Sequence, residues 1–132
     1  MTNEDYVRKN AFVPNTQHGH LFTDNNGTMY SYGYHYPLLF KVNGLTFVNV
    51  AGYSHTTAIH INHARPLATY EIRLNEYRAN DISVETIIQT LKNEMDHLEE
   101  SISNIKRKDT QKGAMLQKRV NDIGNTLAQL NY

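Results

Sequence analysis

The 132-residue chain balances thirteen Lys and Arg against thirteen Asp and Glu, contains no cysteine and no tryptophan, and carries nine tyrosines and seven histidines. Zero net charge supplies no global field for nucleic acid or an anionic membrane and argues against an acidic DNA mimic. The lack of cysteine excludes a disulfide framework, cysteine-ligated zinc and thiol catalysis.

The length suits one domain with a modest core and an appended helical element. The opening residues lack the apolar core of a signal peptide and no apolar run is long enough to span a bilayer, so the expected location is the cytoplasm. Residues 1–17 are polar, with scattered apolar positions at Tyr6, Val7, Phe12 and Val13 and a turn signal at Pro14-Asn15. They read as an irregular N-terminal arm with room for one helical turn.

A β-rich domain is expected over residues 18–76. His20 to Thr23 form a short candidate strand, and Asp24-Asn25-Asn26-Gly27 is a turn cluster. Met29 to Tyr36 then alternates. As one strand it would place Tyr30, Tyr32, Tyr34 and Tyr36 on a single face, opposite Met29, Ser31, Gly33 and His35. Leu38 to Val42 resumes the strand pattern. Asn43-Gly44 is the preferred pair for a two-residue type I′ hairpin, which sets Val42 opposite Leu45 and Phe40 opposite Phe47.

Next comes a short helix over residues 54–65, with Ser54 or a following threonine as its cap and Pro66 as its stop. In that helix Thr56, His60 and His63 share one stripe; read as a strand, Ile59 and Ile61 would share a face. Ala68, Tyr70, Ile72 and Leu74 alternate with polar residues and predict a further strand.

From Ser83 the period lengthens. Val84, Ile88, Leu91, Met95, Leu98, Ile102 and Ile105 form one seam of heptad type, and Leu116, Val120, Ile123, Leu127 and Leu130 form a second. Continuing the first seam would bring Asp109, Lys112 and Arg119 to core positions, so the polar segment 106–113 is expected to turn the chain. An antiparallel helical hairpin over 82–131 follows. A first helix of about 24 residues would reach ~36 Å, long beside a small sheet, which makes homodimerisation through these helices attractive.

The segments Tyr30-Ser31-Tyr32-Gly33-Tyr34, Asn43-Gly44 and Tyr53-Ser54-His55-Thr56-Thr57-Ala58-Ile59-His60 resemble a small domain family of bacteriophages and archaeal viruses. That family has a Ser-Tyr-Gly-like strand start, a hairpin and an aromatic-Ser-x-Thr-Thr-x-x-His block. Matching positions are Ser31, Tyr32, Gly33, Tyr53, Ser54, Thr56, Thr57 and His60, within residues 28 to 64 and outside the helical tail. The resemblance implies a viral or prophage origin and no mechanism. Small proteins of such origin often disable a host or defence component, which is an argument from association.

Two constellations compete with that reading. His60 and His63, with His18 and His20, offer imidazoles for a metal, but no carboxylate is near in sequence and no His-Glu-x-x-His pattern exists. Four tyrosines on one strand face could stack unpaired bases, yet Lys41 is the only Lys or Arg between Ala11 and Ala64. Lys106-Arg107-Lys108 suits a solvated interhelix turn.

The expectation is an α+β protein: a small antiparallel sheet, one short crossing helix and a C-terminal coiled-coil-type hairpin. Its expected role is a non-enzymatic binding protein, anti-CRISPR-like or otherwise anti-defence, acting on a host or defence protein as a homodimer without a membrane partner. Tyr32, Tyr34, Tyr53, Thr57 and His60 are the expected binding residues, with no catalytic residue, metal or cofactor assigned. The alternatives are a nucleic-acid or nucleotide binder using the tyrosine strand and a histidine-dependent metal hydrolase.

Overall fold

The computed structural model describes residues 1–34, 36–52, 54–74, 82–105 and 110–130, and it divides into two compact units, Met1–Ser83 and Val84–Tyr132. The first unit runs α1 (Asn3–Asn10), β1 (Gln17–His18), β2 (Leu21–Thr23), β3 (Met29–Ser31), β4 (Pro37–Val42), β5 (Leu45–Asn49), α2 (His55–Ala64) and β6 (Tyr70–Ile72). Its strands form one six-stranded sheet in sequence order. The α+β expectation holds.

The N-terminal arm is irregular only over residues 11–16; before them it forms the helix α1, longer than the single turn expected. Thr2 caps α1 by accepting from the Asp5 N–H at 3.1 Å, while the Asp5 carboxylate accepts from the Thr2 N–H at 3.3 Å. This reciprocal capping box satisfies two donors that a helix start otherwise leaves open. The helix buries Tyr6 and Val7 in the core. Those two adjacent apolar residues give no period along the chain, so the helix left no hydrophobic signature.

The β4–β5 hairpin forms as expected. Asn43 and Gly44 have φ of 52° and 77°, and Phe40 pairs with Phe47 and Val42 with Leu45. The Phe40 and Phe47 rings stack at 5.7 Å and both are fully buried.

One pairing departs from the antiparallel expectation: β6 joins β5 in parallel. The intervening α2 has ten residues, ~15 Å at 1.5 Å per residue. It carries the chain back along the sheet, so the next strand runs the same way as the last. Ser54 caps this helix by accepting from the Thr57 N–H at 3.1 Å, as the sequence predicts. Its end is a 3₁₀ turn, Arg65–Leu67, containing Pro66.

Asn49, fully buried at the end of β5, ties this crossover together. Its Oδ1 accepts from the N–H groups of Ala51 at 3.1 Å and Leu74 at 3.0 Å. The Tyr36 hydroxyl donates to the carbonyls of Asn49 at 3.0 Å and Ala51 at 2.8 Å. Burial pushes its phenol well above the ordinary tyrosine range, against a smaller lowering by Arg73. Tyr36 is therefore a core residue, parted from the other tyrosines with which strand alternation groups it.

The second unit contains α3 (Val84–Ser103) and α4 (Thr110–Gln129), which pack together. Glu94 meets Arg119, and a Cβ on Gly113 would lie 4.0 Å from Ile105 Cδ1, so early residues of one helix face late residues of the other. The hairpin is antiparallel. Residues 106–109 of the expected turn lie outside the described residues, while Thr110–Gly113 are helical. Arg119 grips the Glu94 carboxylate through Nε and Nη2 at 3.1 and 2.8 Å, a two-point ion pair in a part-buried position. On α3 the fully buried residues are Leu91, a member of the predicted seam, and Ile87, which lies beside the half-buried Ile88.

Candidate functional site

The proposed strand of four tyrosines does not exist. β3 stops at Ser31, and the chain turns through Tyr32 and Gly33 with φ of 64° and 120°. The Ser31 N–H donates to the Tyr36 carbonyl at 3.1 Å and closes this turn. Alternation along a sequence orders side chains by face only while the backbone stays extended. Two consecutive positive φ values scatter the four rings instead.

Tyr30 is buried, and its ring stacks on Phe22 at 5.4 Å. Tyr34 sets its ring edgewise to both Phe22 and Tyr30, at 5.0 Å from each, and remains 57% exposed. Tyr32 turns the other way and lies on His20 at 4.1 Å, with the rings 18° from parallel. The Tyr32 N–H donates to the His20 carbonyl at 2.9 Å, so backbone and ring are fixed to the same residue. Tyr32 is 38% exposed and His20 is exposed beside it. The rings form two groups, Phe22 with Tyr30 and Tyr34, and His20 with Tyr32. Among them His20, Tyr32 and Tyr34 are exposed and Phe22 is half-buried.

Beneath Tyr32 lies His60 of α2, with ring centroids 6.0 Å apart and near parallel. His60 is buried, and its Nδ1 shares a 2.7 Å hydrogen bond with the hydroxyl of Ser31, also buried. Burial first, then the nearby His63 and His20, lower the His60 pKa from its ordinary value. The imidazole is thus held neutral. Nδ1 of His63 is buried with no hydrogen-bond partner among the described residues.

The Ser-Tyr-Gly and Thr-Thr-x-x-His blocks of the sequence therefore meet. Ser31, of the Ser-Tyr-Gly start, bonds His60, of the Thr-Thr-x-x-His block, across 29 positions of chain. Thr57 is fully buried, and its hydroxyl bonds Ser54 at 3.0 Å, so it fixes the start of α2 rather than reaching the surface. Tyr53 lies outside the described residues. Of the five sequence-predicted residues, the structure brings Tyr32 and His60 together, sets Tyr34 on the neighbouring group and leaves Thr57 in the support. Sequence reasoning missed His20 and Phe22 as surface partners. The signal for Phe22 was its place on the strand beside the tyrosines, and His20 comes just before that strand.

A serine hydroxyl against an imidazole is the start of a nucleophile–base pair. Here Ser31 is fully buried, and among the described residues no carboxylate hydrogen-bonds His60 to orient it. The pair acts as a lock between β3 and α2. His18 stacks on Tyr6 at 5.6 Å, and among the described residues no group of three or more His, Asp or Glu is placed to hold a metal ion. Lys41 sits 4.5 Å over the Phe12 ring. The chain matches no family model, no curated protein and no solved structure.

Proposed function

We propose that this protein is a non-enzymatic binding protein that docks on another protein through the surface of His20, Phe22, Tyr32 and Tyr34. The observation that carries this reading is Tyr32: a bulky residue with φ of 64°, partly exposed, pinned by its N–H and its ring to His20. A non-glycine residue in this region costs on the order of 1 kcal/mol or more and persists where its surroundings over-determine it. Tyrosines held rigid before binding supply large contact area at low entropic cost, as interface anchors do.

Neutral charge and the scarcity of Lys and Arg around the rings favour a protein over a nucleic acid. The alternative of a base-stacking strand loses its basis with the broken tyrosine series. The resemblance to a viral domain family extends the proposal to the target: a host or defence component in the cytoplasm of an infected cell. Homodimerisation through α3 and α4 is part of the proposal, supported by the half-buried seam of Ile88, Met95, Leu98 and Ile102.

The test is affinity purification from defence-carrying bacterial cells, with wild-type bait beside a Tyr32→Ala/Tyr34→Ala bait. The expected result is one partner protein retained by the wild type and lost with the folded double variant. An intrinsic hydrolytic activity that vanishes in a folded His60→Ala variant would overturn the reading. Light scattering of the purified chain tests the dimer.

A further inference from the structure

The surface proposed for binding rests on the buried His60, whose imidazole neighbours are the exposed His20 and the half-buried His63, and which meets no acidic partner among the described residues. His60 lies under Tyr32, bonds Ser31 and is within electrostatic reach of His20 and His63. The elements packed on α2 bring few other charges toward it. On α1, Asp5 is paired with Arg8 at 2.8 Å, and Glu4 and Lys9 are exposed. On β4, Lys41 lies over Phe12. β5 has no charged residue, and Arg65 after α2 pairs with Glu71 at 2.6 Å. On α2 itself the remaining titratable group is His55, exposed in the first turn. Beside His60 stand Tyr32 and His20, with His18 stacked on Tyr6. Among these groups, the electrostatic effects on His60 come from His63 and His20, and both oppose its charge.

We infer that the Tyr32 surface is gated by protons: protonation of the buried His60 opens the contact between the end of β3 and α2 and releases Tyr32. This inference rests on the binding role proposed for that surface, but its physical core does not. A proton on His60 puts a charge into a buried site with imidazole neighbours and, among the described residues, no carboxylate to offset it. The least costly relief is to expose His60 to water. Ser31 and Tyr32 must then part from α2, and nothing but the surrounding contacts holds Tyr32 at positive φ.

The sign follows from linkage. The folded pKa of His60 lies below its ordinary value of about 6.5, so the opened or unfolded state binds the proton more readily. The closed state keeps its full stability above the ordinary value. That stability falls as the pH drops from there toward the lowered, folded-state value. Acid opens the site.

The experiment is amide hydrogen exchange followed by NMR on the full chain, from about pH 8 to about pH 5, corrected for intrinsic exchange. The Tyr32 N–H, bonded to His20, reports the gate, and the Phe40 and Phe47 amides of the β4–β5 hairpin serve as the internal reference. The expected result is a several-fold loss of Tyr32 protection in acid with no matching loss in the hairpin. In His60→Asn, whose amide can keep the Ser31 bond without titrating near neutrality, that loss should disappear. Equal Tyr32 protection across the range, or an unchanged acid response in His60→Asn, overturns the inference. If His60→Asn does not fold, His20→Gln serves instead: removing one imidazole neighbour should shift the opening to lower pH, and an unshifted profile overturns the gate. Because no partner is present in the measurement, failure of the gate and failure of the binding reading are separate outcomes.

Discussion

Two turns in this protein share an unusual backbone and reach it by opposite means. At the β4–β5 hairpin, Asn43 and Gly44 have φ of 52° and 77°. At the end of β3, Tyr32 and Gly33 have φ of 64° and 120°. Asparagine and glycine enter the left-handed region at little cost, and the strands around them take the register that the turn dictates. Tyrosine does not. It is held there by the His20 carbonyl, the His20 ring and the His60 imidazole beneath. The first turn is local and structural. The second depends on residues from two other parts of the chain, and it is the one that displays aromatic rings.

Removing the support should expose that difference most strongly. His60→Ala deletes a buried ring and leaves the Ser31 hydroxyl unpaired, so urea unfolding should show a loss of about 2–4 kcal/mol. His60→Asn should recover a large part of it, and a full loss in both variants would mean that ring packing, rather than the Ser31 bond, holds the turn.

Gly33→Ala comes next. A φ of 120° lies beyond the range that side-chain-bearing residues reach easily, and the expected cost is about 1–3 kcal/mol, with Tyr32 displaced. At the hairpin, a Cβ on Gly44 meets nothing within 4 Å. Gly44→Ala should therefore cost only the backbone term, about 1–2 kcal/mol, and leave the Tyr32 amide protected. Loss of Tyr32 protection in that variant would show that the two turns are coupled.

The smallest stability effect belongs to the residue with the largest expected functional one. Tyr32→Asn relieves the strained backbone, on the order of 1 kcal/mol, and forfeits the stack on His20, about 0.5–1.5 kcal/mol. These nearly cancel. Thermal unfolding should move little while partner binding is lost; a large drop in stability would recast Tyr32 as a structural residue.

The sequence signals that held share one property: each was complete within a few neighbouring residues. The Asn-Gly turn, the Ser54 cap and the long apolar seams each needed only local geometry. The extent of α1 and the parallel direction of β6 were missed, because the first is stabilised by a capping box and core contacts and the second is set by a crossover. The candidate site divides the same way. Tyr32, Tyr34 and His60 stood out by residue type and motif, whereas the face they form could not be read, because alternation presumes an extended chain and Tyr32 is not extended.

By itself, then, the sequence determined the α+β class, the hairpin register, the capped α2 and the two C-terminal helices, since periodicity and turn chemistry act over short spans. Only the tertiary structure decided that Tyr36 joins the core and Tyr30 is covered while Tyr32 and Tyr34 reach the surface. The physical reason is that Tyr32 is held out of the extended region by contacts with His20 and His60, residues from other parts of the chain, and the turn made there divides the tyrosines.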